Sequence, residues 1–116
     1  MPSTTLITTS QLSRLIALPQ SPAIVDVRTD EDYRAEPRLL PGSLRRDYRA
    51  ASQWAPAYRG KPVVVVCQKG QKLSQGTAAW LRHEGVEAEA LEGGFEAWKK
   101  AGELLVRTDK LPPRDE

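Results

Sequence analysis

The alternation of apolar and polar positions divides the chain into short elements separated by turn residues. In TTSQLSRLIAL (8–18), Leu12, Leu15 and Ile16 recur at helical spacing behind polar cap candidates, which predicts a helix ended by Pro19. AIVDV (23–27) is a short apolar strand. RTDEDYRAE (28–36) offers Thr29 or Asp30 as an N-cap with acidic residues in the first turn, which predicts a short helix broken by Pro37. LLPGS (39–43) reads as a turn. DYRAASQWAPAYRG (47–60) predicts a helix interrupted at Pro56 and stopped by Gly60.

The clearest strand is PVVVVC (62–67), a continuous β-branched run of the kind buried on both faces of a parallel sheet. SQGTAAWLRHEG (74–85) predicts a helix over 74–84, capped by Ser74, with Ala78, Leu81 and Trp80 inside and Gly85 at its end. EAEAL (87–91) is a strand by position rather than by composition. EGGFEAWKKAG (92–102) predicts a turn at Gly93 and Gly94 into a helix with Phe95 and Trp98 on one face.

Strands alternating with helices imply an α/β fold: a parallel central sheet, right-handed crossovers and helices on both faces. In such sheets sites form at the carboxyl ends of the strands, and Cys67 stands at one of them. At 116 residues, 40% hydrophobic and 28% charged, the chain fits one soluble domain. A domain over 1–105 followed by a charged, proline-containing tail over 106–116 is expected. The net charge of +2 gives no argument for nucleic acid. A single cysteine fits a reducing compartment. The N-terminus lacks a signal-peptide pattern, and no apolar run approaches the roughly 20 residues that span a bilayer. A cytoplasmic protein with no membrane contact is expected.

Cys67 is where chemistry enters. A loop from it to a helix N-terminus presents backbone N–H groups that lack intrahelical partners, together with the positive end of the helix dipole. Gly70 permits the backbone such a cradle needs, and Lys69 and Lys72 add charge. The arrangement favours a thiolate over a thiol. The competing reading is a buried structural cysteine followed by a polar loop. The one histidine, His83, lies late on the following helix and reads as a surface residue, which disfavours Cys–His hydrolase chemistry. One cysteine and one histidine offer no metal site.

AIVDVRTDEDYRAEPRLLPGS, VVVVCQKGQK, AAWLRHEGV and LEGGFEAWKKAG stand in the order and approximate spacing of the rhodanese-like domains, which the chain resembles over about residues 5 to 105. The resemblance implies a rhodanese-like fold and a sulfurtransferase without a cofactor. Cys67 would take a sulfane sulfur from thiosulfate or a related donor as a persulfide. It would pass that sulfur to cyanide, a small thiol or a protein acceptor. By the same likeness Gln68, Lys69, Gly70, Gln71, Lys72 and Leu73 form the substrate loop, with Lys72 where arginine is frequent. Asp26 and Arg28 match a supporting pair, better read as an ion pair or loop anchor. Trp80 and Trp98 read as core.

The sequence departs from the family in two places. About two extra residues fall between Tyr33 and Pro41, and RLL replaces a histidine before the Pro-Gly, which alters the expected rim of the pocket. Leu73 occupies the family's serine position, with Ser74 one place later, so six residues (68–73) are expected between Cys67 and the helix cap. A longer loop is a feature of phosphatases and arsenate reductases of the same fold, which gives an oxyanion enzyme as one alternative. A binding or regulatory module is the other.

Overall fold

The computed structural model describes residues 5–107. Five parallel strands form the central sheet: β1 (Leu6–Ile7), β2 (Ala23–Asp26), β4 (Leu44–Arg45), β5 (Pro62–Val66) and β6 (Glu87–Leu91). Their order across the sheet is β1-β6-β5-β2-β4, which puts β5 at the centre. The helices are α1 (Thr9–Leu15), α2 (Asp30–Ala35), α3 (Ala51–Trp54), α4 (Lys72–His83) and α5 (Gly94–Lys100).

The valine run explains the layering. Val63 and Val65 pack on one face with Ala55, Tyr58, Ala78 and Leu81, hence against α4 and the α3 region. Val64 and Val66 pack on the other with Leu12, Phe95 and Trp98, hence against α1 and α5. Both faces of β5 are therefore dry, as its unalternating composition requires. β6 forms over the five residues expected despite two glutamates, because Ala88, Ala90 and Leu91 supply its buried positions.

Three expectations are corrected. The helix expected over 8–18 ends at Leu15, although its Thr8–Gln11 capping box forms as polar cap candidates there suggest. The helix expected over 47–60 is one α-helical turn, α3, between 3-10 turns at Tyr48–Ala50 and Ala55–Tyr58, with Pro56 in the second. Trp80 is 47% exposed and does not join the core, whereas Trp98 is 1% exposed. The inner stripe of α4 is Ser74, Thr77, Ala78 and Leu81, which turns Trp80 outward.

A two-stranded antiparallel ribbon joins β3 (Arg38–Leu39) to β7 (Val106–Arg107). The expected tail thus begins with a paired strand, and its remainder, 108–116, lies outside the described residues. Glu36 accepts from Arg38 on this ribbon and from Lys99 of α5, both at 2.7 Å. Arg38 first and Lys99 second lower its pKa from 4.5 to about 2. A depressed carboxylate contributes stability above its unfolded value and loses it as pH falls through the folded one. Glu36→Gln should therefore cost about 1 kcal/mol at neutral pH. That difference should fade between pH 4.5 and about 2 in denaturant titrations of both proteins. A gap that persists at the acid end would assign the loss to packing. No helix among the described residues is long and apolar enough to cross a membrane.

Candidate active site

Cys67 continues the alternation of β5. Following Val63 and Val65, it projects toward α4, where it is 4% exposed and its thiol donates to Ser74 Oγ at 3.1 Å. Ser74 is fully buried inside α4, so the expectation that it caps the helix is corrected. Its hydroxyl is engaged by the sulfur rather than by the first-turn N–H groups. The ladder starts earlier, with Gln75 N–H donating to Gln71 C=O at 3.0 Å, and the cap residue is Gln71. Three residues, Gln68 to Gly70, rather than six, separate Cys67 from the cap.

The loop is bolted to the start of α5 and to α4. The carbonyls of Cys67 and Gln68 accept from the N–H groups of Phe95 and Glu96 at 2.8 and 3.0 Å. The Gly70 carbonyl accepts from Gln75 Nε2 at 2.9 Å. Among the described residues no protein acceptor takes the N–H groups of Gln68 through Leu73, and Gln71 supplies no side-chain cap. A buried or half-buried backbone donor seeks a partner, so a run of these beside a sulfur is a ready anion cradle.

Glycine is required on both sides of this junction. Gly70 has φ +67°, and a Cβ there would lie 2.5 Å from Gly94 N and 2.6 Å from Leu91 O. Gly94, with φ +62°, would drive a Cβ into the Cys67 carbonyl and the Gly70 nitrogen. The Gly-Gly motif is therefore more than the turn expected from sequence. It lets the backbone before α5 pass directly against the loop.

A cavity of about 440 Å³ opens over the sulfur, lined by Cys67, Gln68, Lys69, Gln71, Lys72 and Leu73, with Asp32 and Glu96 opposite. Gly70 is buried beneath it, and Lys69, Gln71 and Lys72 are exposed. Gln68 Nε2 donates to Glu96 at 3.2 Å. Sequence reasoning missed Asp32 and Glu96, whose acidity was visible only as favourable first-turn charge on α2 and α5. The extra residues before Pro41 do not line this cavity. Within that segment Arg38–Leu39 form β3, and Asp32 supplies the rim instead.

Asp26 and Arg28 stand outside this cavity. Their ion pair is 2.9 Å long and almost fully buried. Arg28 also donates to the carbonyls of Glu36 and Arg38 and stacks 3.9 Å above the Phe95 ring. The pair clamps the end of β2 to the ribbon and to α5, and α5 in turn holds the Cys67 loop. Burial pushes the Asp26 carboxyl up, while the Arg28 charge and hydrogen bonds pull it back. His83 is exposed, its ring 5.8 Å from that of Trp80.

Residues 8–101 match the family model described as rhodanese-like domain. The chain is 34% identical over 82 residues to a Pseudomonas savastanoi pv. phaseolicola protein named thiosulfate sulfurtransferase GlpE, covering 69% of this chain and 74% of that one. It is similar in structure to a rhodanese-like domain protein from Staphylococcus aureus, with TM-score 0.71, 26% identity and 81% and 90% of the two chains covered. It is also similar to a Rhodopseudomonas palustris protein of unknown function, described as a possible tyrosine phosphatase. There the TM-score is 0.77 and the identity 25%, over 86% and 83% of the chains.

Proposed function

This chain belongs to the rhodanese-like domain family, and from that premise we propose that it is a sulfurtransferase carrying a sulfane sulfur on Cys67. The observation that supports this most is the sulfur at the end of β5 beside a loop whose N–H groups, from Gln68 to Leu73, have no protein acceptor among the described residues. The Cys67 thiolate attacks the outer sulfur of thiosulfate or a related donor. The donor's S–S bond breaks, sulfite leaves with the electron pair, and a persulfide remains. The cradle then faces a terminal sulfur bearing negative charge, which backbone donors stabilise without reorganising. An acceptor nucleophile attacks that outer sulfur and Cys67 departs as thiolate. Ser74 positions the sulfur, donating its proton to Sγ once Cys67 has lost its own.

The likeness to the possible tyrosine phosphatase favours a second reading, an oxyanion enzyme. Phosphoryl transfer spreads charge over three equatorial oxygens and needs a matching clamp. Residues 67–73 contain no arginine, and Lys72 is a point charge without a bidentate fork. The loop between strand and helix is also shorter than that reading wants.

One preparation tests both. Thiosulfate alone should release sulfite and add one sulfur atom to Cys67, read by intact mass and peptide mapping. Thiosulfate:cyanide transfer should be measurable and aryl phosphate hydrolysis negligible. Leu73→Arg should tighten phosphate or arsenate without helping sulfur transfer. Phosphatase turnover exceeding sulfur transfer would reverse the ranking, and an unmodified Cys67 would end the sulfurtransferase reading.

A further inference from the structure

Beside the Cys67 cavity lies a second groove of about 400 Å³ that shares Lys72 and Leu73 with it. Lys72, Gly76 and Trp80 fall at i, i+4 and i+8 and form one outward stripe of α4. Tyr48 and Arg49 face them from the turn before α3.

Three features of this groove are not demanded by core packing. Trp80 and Tyr48 leave 47% and 38% of their surface in water. Gly76 sits mid-helix, where glycine costs about 1 kcal/mol relative to alanine, yet a Cβ there would meet nothing within 4 Å. Packing does not demand it. What the glycine does is keep the groove open between a cation and an indole. Arg49 binds Asp47 through Nε at 3.1 Å. Its terminal nitrogens have no protein acceptor among the described residues, so they remain available to a carboxylate.

We infer that this groove seats the body of the sulfur acceptor, a small peptide-sized thiol bearing carboxylates, while its sulfur reaches over Lys72 to Cys67. The inference rests on the Cys67 persulfide proposed above. In the step it serves, the acceptor thiolate R–S⁻ attacks the outer sulfur of Cys67–S–S⁻. A new S–S bond forms, the Cys67 S–S bond breaks, and R–S–S⁻ leaves with Cys67 as thiolate. Charge balances and no further oxidant or reductant enters. The aromatic walls match a compact organic body, its volume is that of a small-ligand site, and Arg49 with Lys72 complements carboxylates.

The experiment loads Cys67 with thiosulfate and compares three acceptors: cyanide, an acetylated Asp-Cys-Glu tripeptide and its Lys-Cys-Lys counterpart. The acidic peptide should be the better thiol. Trp80→Ala and Gly76→Leu should each lower the acidic-peptide rate relative to the cyanide rate by about tenfold. Arg49→Gln should remove most of the preference for the acidic peptide over the basic one. Gly76→Leu puts a strong helix former into open space, so it tests occlusion without threatening the fold. Persulfide formation and cyanide transfer with peptide-to-cyanide ratios unmoved in every variant would overturn the groove while leaving the sulfurtransferase reading intact. Failure of persulfide formation itself would instead overturn that reading, and the groove's role with it.

Discussion

Replacing Cys67 with serine is expected to reduce sulfur transfer to background, on the order of a thousandfold or more, while the protein stays folded. The chain has no second thiol to take over. A serine hydroxyl would need a base, and the one histidine lies exposed near the far end of α4. Oxygen also lacks the polarizability that lets sulfur accept and release a sulfane atom. The fold should survive because the serine hydroxyl can donate to Ser74 Oγ as the thiol does at 3.1 Å. It replaces a small side chain in the same slot. Sulfite release from thiosulfate and thermal unfolding measured on one sample separate the two effects. Substantial turnover in the variant would remove the persulfide from the mechanism, and a collapsed Tm would point to the structural reading of the cysteine.

Much of this architecture is written locally, and the failures share a cause. The run Val63–Val66 reads as a doubly buried strand because no polar residue interrupts it. Thr29 reads as a cap because Asp32 N–H can reach it, as it does at 3.1 Å. The rhodanese-like fold follows from such elements in their order. The start of α4 is ambiguous in the sequence because Ser74 is an equally good cap and sulfur partner, and only the packed sheet decides between them. Trp80 reads as core in the sequence, whereas its phase on the helix places it beside Lys72 and Gly76. The ribbon of Leu39 with Val106 escaped notice because its strands are two residues long and far apart in sequence. Asp32 and Glu96 come to the cavity from α2 and α5, so their convergence on Cys67 exists only in three dimensions.

The contact between Gly70 and Gly94 is the clearest such long-range demand, and it yields the largest expected effect on stability. Each residue has positive φ, where alanine is disfavoured by roughly 1–2 kcal/mol. Each would also place a Cβ against backbone that cannot yield. For Gly70 those atoms are Gly94 N, Leu91 O and Gly93 N, at 2.5, 2.6 and 2.7 Å. Relief would require the loop and α5 to separate. That breaks the bonds from Phe95 and Glu96 to the Cys67 and Gln68 carbonyls, which set the cradle. Gly70→Ala and Gly94→Ala should therefore each cost more than about 4 kcal/mol, in the exceptional range for single substitutions, and both should abolish sulfur transfer. Gly102→Ala is the control. It has φ +75°, but nothing within 4 Å of the added carbon. It should cost no more than the backbone penalty, about 1–2 kcal/mol, and keep full activity. Chemical denaturation of the three variants makes the comparison. Equal losses at all three positions would mean that φ alone matters there. An active, stable Gly94→Ala would mean that the loop does not need its close approach to α5, and the cradle would have to owe its shape to Ser74 and Gln75 instead.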